Sequence, residues 1–493
     1  MKLRIKKLKF LTGKPVCMIH ENTAKKMSWN VSGRVLIKTK QGKSLVSIVD
    51  TVSRIIKPNQ IAVSETIINK LNLKANQTVE VELAEIPRSI ELIKKKLEGK
   101  KLTPKEIKEI ITNIANNSLS EVETAFFVSA VHDEGMNLNE TKALTQAMVD
   151  TGETLKLAGK VVDKHSIGGV AGNRTTPIIV AICATAGLII PKTSSRAITS
   201  ASGTADTMEC ITPVDFSIKE IKSIIKKTNA CLVWGGALGL APVDDKIIKI
   251  ERVVNIDSTA QLLASILSKK ISVGSKYILI DIPYGKSAKV SKKEAKELKR
   301  RFLQLSKKFK LKLDVILTDG SEPIGDGIGP ALEMKDILKV LGNVNPPLDL
   351  REKSILLAGR LLELAGKTKK GNGKKLATEI LTSGKAYKKF EQIVKNQKGS
   401  IKKLYKLKPK YSYSVKAETK SKIKHIDNKL INRLARHAGC PEDKASGIFI
   451  HKKKNQTIQK NDKILTIYTT SKEKLNYAKE FYKKNRKKLI EYG

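Results

Sequence analysis

The segment Asp163-Lys164-His165-Ser166-Ile167-Gly168-Gly169-Val170-Ala171-Gly172-Asn173 gathers residue types that can hold a phosphate. Such an ion needs several N–H or O–H donors converging on it, a cation, and glycines that let backbone come close. Lys164, Ser166, Gly168, Gly169 and Gly172 supply these between a strand and a helix start, whose positive end favours anions. The run is neither a Walker A loop nor a G-x-G-x-x-G fingerprint. Composition alone leaves open a tight turn that binds nothing. A second run, Lys192 to Thr204, carries six hydroxyl side chains between Thr193 and Ser202, with Arg196 among them. Alone it reads equally as a solvated loop. Two such loops after consecutive strands point to one shared pocket at the carboxyl edge of a parallel sheet.

The flanking patterns say what positions these loops. Val161-Val162, the helical spacing of Ile178, Ile179, Ile182, Cys183 and Ala186, and the apolar Leu188 to Ile190 make a βαβ unit. Tyr277 to Ile282 and Asp314 to Leu317 read as further strands, and residues 257–270 as a helix opened by Ser258 to Gln261. Upstream, residues 1–86 read as a β-rich domain, with strands over Val31 to Ile37 and Val79 to Leu83. Capping boxes at Thr103 to Glu106 and Ser120 to Glu123 open helices, and Ile107, Ile110, Ile111 and Ile114 recur at helical spacing. After Lys410 short strands return at Ile448 to Ile450 and Ile464 to Tyr468.

The whole chain bounds the reading. Its 493 residues need about three cores at roughly 100–200 residues each. With 94 basic and 48 acidic residues the net charge is +46, which calls for anionic partners without choosing among them. The five cysteines, Cys17, Cys183, Cys210, Cys231 and Cys440, are scattered with no CxxC, and the six histidines form no HExxH. A reducing compartment and no metal centre are expected. Thr12, Gly13 and Lys14 interrupt any signal-peptide core, and the run Pro177 to Pro191 is too short to span a bilayer. The expectation is a soluble, cytoplasmic protein.

The motifs DKHSIGGVAGNRTTP, IPKTSSRAITSASGTADTME and ILSKKISVG resemble the pyrimidine-nucleoside phosphorylase superfamily, and within it the archaeal AMP phosphorylase branch. GSEPIGDGIGPALE, ARHAGCPEDKASGI and NDKILTIYT fit the same resemblance, which covers roughly residues 88–493, and the β-rich N-terminal extension is similar to that of the archaeal branch. Ala171 and Arg174 depart from the branch's usual Pro and Lys, and arginine keeps the charge.

The resemblance implies an α/β and α+β multidomain fold. Its parts are an N-terminal β-rich domain (1–86), a split helical lobe (87–155 and 243–275), a larger α/β lobe with a mixed sheet (156–242 and 276–409) and a C-terminal α+β domain (410–493). It implies a pentosyltransferase that splits AMP, and other nucleoside 5′-monophosphates such as CMP and UMP, with inorganic phosphate. Base and ribose 1,5-bisphosphate result, phosphate is a co-substrate, and no cofactor is implied. A homodimer or larger homo-oligomer is implied, with lobe closure assembling the site. Phosphate binding falls on Lys164, Ser166, Thr176, Ser194 and Thr204. Nucleotide contacts fall on Gly169, Ser195, Arg196, Ala197, Ile198, Thr199, Ser200, Thr204, Ser265 and Lys289.

The resemblance assigns the proton donor to Asp257. That residue precedes a helix start, where the dipole favours the carboxylate, so the role requires a pKa raised by water exclusion. His165 is the rival, since an unperturbed imidazole already titrates in the right range. Lys164, Arg196, Lys286 and Lys289 are the candidates for offsetting repulsion between two anionic substrates. A thymidine or other pyrimidine-nucleoside phosphorylase is the alternative within the class. Outside it stands a nucleic-acid-binding protein using Lys452 to Lys454 and Lys483 to Lys488. Against that reading are the 4% aromatic content and the even spread of basic residues.

Overall fold

A computed structural model describes the chain except for Lys9, Leu11, Gly13, Lys14, Ile198, Thr199, Asn255 and Asp257, and except for the side chains of Ala237, Leu238, Arg252 and Val254. Two units result: residues 1–147 with 243–260, and residues 148–242 with 261–493. The helical segment expected over 243–275 is thus divided after Ala260.

In the first unit, alternating side chains on β1 (Lys2–Lys6), β2 (Val16–His20), β3 (Arg34–Lys38), β4 (Ser44–Val52), β5 (Gln60–Val63) and β6 (Thr78–Leu83) close a barrel in the order β1-β5-β2-β4-β3-β6. Ile5, Ile19, Ile37, Ile61, Val79 and Val81 fill it, and closure leaves no edge to aggregate. β3 starts later than the β-branched pattern suggests. Val31 is exposed and Ser32 adopts φ 64°, so the Ser-Gly turn overrides the strand signal.

Both capping boxes form, at Thr103 with Glu106 and at Ser120 with Glu123. Between them the isoleucine stripe of the helix Pro104–Ala115 is buried. The last carbonyls of that helix have no partner within it. Lys246 satisfies them: its Nζ donates to the carbonyls of Ile114 at 2.6 Å and Ala115 at 2.9 Å, and to Asn117 Oδ1 at 2.6 Å.

The second unit is built on β7 (Val162–Ser166), β8 (Ile190–Ser194), β9 (Ala230–Trp234), β10 (Tyr277–Tyr284) and β11 (Lys312–Asp319). β7 pairs with β10 and β10 with β11, while β8 pairs with β9, and a bridge between Val161 and Ile189 joins the two sets. Every one of these pairings is parallel. The chain first runs from β7 toward β9, then returns to β10 on the other side of β7. In parallel sheets such a reversal marks where ligands bind, here at the carboxyl ends of β7 and β10.

The spacing in the helix Thr175–Thr185 predicts one buried face. The helix is instead buried all round, between the sheet and the helices Leu348–Leu364 and Lys385–Asn396. The mixed sheet expected of the α/β lobe is not found among the described residues: its pairings are all parallel, and β12 (Gly327–Ile328) leaves the lobe for a separate sheet. There β12 joins an antiparallel C-terminal sheet containing β13 (Tyr411–Lys416), β15 (Gly447–Ile450) and β17 (Lys463–Thr469). β14 (Ser421–Ile426), β16 (Thr457–Ile458) and β18 (Ile490–Tyr492) make a second small sheet, and the helix Asn428–His437 follows β14. Among the described residues no helix is long and apolar enough to cross a membrane.

Lys246→Ala removes one ammonium donor shared by three acceptors at one helix end. It should cost about 1–3 kcal/mol of stability, read as a lower urea midpoint with an unchanged slope.

Candidate functional site

Strand alternation sorts the residues of β7. Lys164 and Ser166 face one way, Asp163 and His165 the other. Lys164 is 1% exposed, and its Nζ donates to Thr175 Oγ1 at 2.9 Å, at the start of the helix Thr175–Thr185. Ser166 stands in register beside Asp281 of β10 and hydrogen bonds its carboxylate. Asp281 also accepts from Thr318 at 2.6 Å and lies 3.3 Å from Lys353 Nζ. Burial pulls the Lys164 pKa down to about 8, with Asp281 opposing and Lys353 and Arg174 adding to the fall. Burial pushes Asp281 up, but Lys353 and Lys164 outweigh it and hold the carboxyl below its ordinary range. Two buried ammonium groups thus share one ionised carboxylate.

The loop above is shaped by glycines. Gly169 sits at φ 87°, and a Cβ there would lie 2.6 Å from the backbone nitrogen of Lys289. The expected nucleotide contact Lys289 is therefore against the expected phosphate loop. Gly172, at φ 69°, packs equally close to the Ile324 carbonyl. Thr176, the second residue of the following helix, is 9% exposed.

The hydroxyl-rich loop leaves β8 beside this. The Ser194 and Thr193 hydroxyls are buried, and neither has a hydrogen-bond partner among the described residues. Asp206 folds the loop back on itself by accepting from Ala197 N at 2.7 Å and Gly203 N at 2.8 Å. Arg174 stitches the two loops together. It donates to Ser202 O at 2.7 Å and Thr204 Oγ1 at 3.4 Å, while Glu333 pairs with its Nε. Ser195 is exposed, and Ser200 donates to Ser202 O at 3.0 Å. Ile198 and Thr199, expected to contact nucleotide, lie outside the described residues.

Two expected cations have partners of their own. Arg196 meets Glu209 at 2.6 Å and stacks over Trp234 at 4.7 Å. Lys286 meets Glu491 at 2.6 Å, so its charge is spent on the surface.

The other face of β7 is also cationic. Asp163 lies 2.8 Å from Lys270 and 3.3 Å from Lys192, all three buried. Lys270 comes from the helix Thr259–Ser272, whose Ser265 and Lys269 share a half-buried face one turn apart. Burial, then Lys270, Lys192, Lys269 and Lys164, hold the His165 imidazole far below its ordinary pKa. A ring kept neutral has no acidic proton to give near pH 7. The reading of His165 as donor rested on an unperturbed imidazole, and its surroundings depress it instead. Asp257, the other expected donor, lies outside the described residues.

Sequence reasoning passed over Asp281, Lys353, Lys192 and Glu333. Asp281 left a signal, a lone carboxylate in the apolar strand ILIDIP. Lys353 left none, because it meets its partner across more than 70 residues of chain, and Glu333 closes the motif GSEPIGDGIGPALE without revealing its partner Arg174.

Three family models match the chain. They are the glycosyl transferase family helical bundle domain over residues 90–152, the glycosyl transferase family a/b domain over 158–387, and the pyrimidine nucleoside phosphorylase C-terminal domain over 422–488. The chain is 42% identical to the AMP phosphorylase of Pyrococcus furiosus over 486 residues, 97% of this chain and 95% of that protein. It is 43% identical to the AMP phosphorylase of Methanococcus aeolicus, covering 94% and 92%. Among solved structures, anthranilate phosphoribosyltransferase from Thermus thermophilus superimposes with a TM-score of 0.54 at 18% identity. That match covers 62% of this chain and 99% of that one, a likeness of fold.

If the charged form of Lys164 holds the anion, inorganic phosphate should bind more weakly as pH rises through about 8. Calorimetric titration on either side of that pH checks it. Lys164→Arg should flatten the profile, since guanidinium stays charged throughout.

Proposed function

The chain belongs to the AMP phosphorylase family, and we propose that it cleaves AMP with inorganic phosphate to adenine and ribose 1,5-bisphosphate. The observation that carries this reading at the site is the buried cationic floor, Lys164 with Asp281 and Lys353, beneath a glycine loop at a helix start. Such a floor suits a reaction whose two substrates are both anions. Dry, fixed cations offset their repulsion without reorganising during the reaction.

In the step itself an oxygen of inorganic phosphate bonds to C1′ as the C1′–N bond breaks. The electron pair of that bond leaves with adenine, which takes up one proton. Lys164, Ser166, Thr176, Ser194 and Thr204 hold the incoming phosphate. Gly169, the loop from Ser195 to Ser200, Thr204, Ser265 and Lys289 hold the nucleotide. The unpartnered Ser194 hydroxyl supports this assignment, as does the contact of Gly169 with Lys289. Asp257 supplies the proton, and neutral His165 serves as a hydrogen-bonding group. No cofactor takes part. CMP and UMP are substrates of the same kind, and the enzyme works in the cytoplasm as a homodimer or larger homo-oligomer.

Comparing AMP with adenosine and thymidine at matched concentrations, with phosphate present, tests the substrate. AMP should release base far faster; equal turnover of the nucleosides would make this a nucleoside phosphorylase. Lys164→Ala should lower kcat/KM for phosphate by about 10²–10³-fold while the thermal midpoint stays close to that of the wild type.

The donor is tested separately. Asp257→Asn should reduce kcat by about 10²–10⁴-fold and abolish the basic limb of its pH profile, leaving the phosphate KM in place. His165→Asn should keep that limb. A limb lost in the histidine variant alone would exchange the roles.

A further inference from the structure

Loops at the end of a parallel sheet cannot satisfy their backbone through the sheet, yet a buried N–H needs a partner. Two such amides lie in the site loops, Ala171 N in the phosphate loop and Ala201 N in the hydroxyl-rich loop. Both are met from the C-terminal domain. Asn428 Oδ1 accepts from Ala171 N at 2.9 Å, and Asn432 Oδ1 accepts from Ala201 N at 2.9 Å. The asparagines are four residues apart on the helix Asn428–His437 and therefore share a face.

Asn428 is fully buried and uses its whole side-chain amide. Its Nδ2 donates to Gly320 O at 2.9 Å and to Ser287 Oγ at 3.0 Å. Ser287 is two residues before Lys289, and Gly320 directly follows β11. Asn432 Nδ2 donates back to Asn428 O at 2.9 Å, tying the pair together. The Ala171 carbonyl is held too, by Ile324 N at 3.0 Å. One turn of helix thus fixes the exits of β7, β10 and β11, and its second asparagine fixes the loop after β8.

We propose that Asn428 and Asn432 are positioning residues through which the C-terminal domain sets the two substrate loops, Asn428 on the phosphate side and Asn432 on the nucleotide side. Neither touches substrate. The proposal rests on the loop assignments made under Proposed function, and it gives the C-terminal domain a part in catalysis as well as in stability.

The test is the split between the two Michaelis constants. Asn428→Ala should raise the KM for phosphate by about 5–30-fold and change the KM for AMP much less. Asn432→Ala should do the reverse. Hydrogen exchange should quicken at the Ala171 amide in the first variant and at the Ala201 amide in the second. Equal rises in both constants, or no rise at all, in folded variants of an enzyme that cleaves AMP would overturn the proposal. If Asn428→Ala does not fold, Asn428→Ser and Asn432→Ala carry the same comparison. If the wild type releases no base from AMP, the functional reading fails instead. Calorimetry with inorganic phosphate then decides the positioning claim, which stands if Asn428→Ala binds phosphate more weakly and falls if it does not.

Discussion

Burying positive charge without enough negative charge to match it is the constraint from which the rest of this site follows. On one face of β7, Lys164 and Lys353 share Asp281; on the other, Lys192 and Lys270 share Asp163. Taking an ammonium group out of water costs several kcal/mol unless partners and hydrogen bonds offset it. A carboxylate divided between two lysines offsets that only in part. Burial lowers Lys164 to about 8, which records the remaining cost. On the proposed function, an arriving phosphate would complete the balance and turn the cost of burying these lysines into affinity for an anion.

Such an arrangement survives only in a rigid setting. The helix Thr175–Thr185 is apolar around its whole circumference and wedged between two others, so the Thr175 hydroxyl that meets Lys164 cannot drift. Parallel pairing of β7 with β10 sets Ser166 beside Asp281. Gly169 lets Lys289 approach where any side chain would block it. Asn428 closes the frame from the C-terminal domain.

How much of this was legible depended on the range of each interaction. The glycine-rich loop between β7 and the helix Thr175–Thr185 could be read because its glycines, lysine and serine lie within a dozen residues. Capping boxes could be read because both partners sit three positions apart. The strand start at Val31 misled because local β-branching lost to a positive-φ turn. Arg196 read as a substrate cation, and only the fold reveals Glu209 beside it. Asn428 lies more than 250 residues from the amide it holds, and no spacing rule reaches that far. The environment of His165 was hidden for a related reason: burial, with Lys192, Lys269 and Lys270 from two other places in the chain and Lys164 from its own strand, depresses the imidazole below its ordinary pKa.

The same lysines constrain where an acid can stand. Cations that depress an imidazole also favour the ionised carboxylate, as Asp281 illustrates by remaining below its ordinary range although buried. Beside those lysines the charged carboxylate and the neutral imidazole are the favoured forms. On the proposed function, the lysines that hold phosphate and the group that protonates the leaving base would therefore be separate. The proposed donor, Asp257, belongs to another segment of the sequence, just before the helix Thr259–Ser272. Separation also fits the order of events. The cations act from the moment the anions bind, whereas the proton is wanted only as the C1′–N bond breaks.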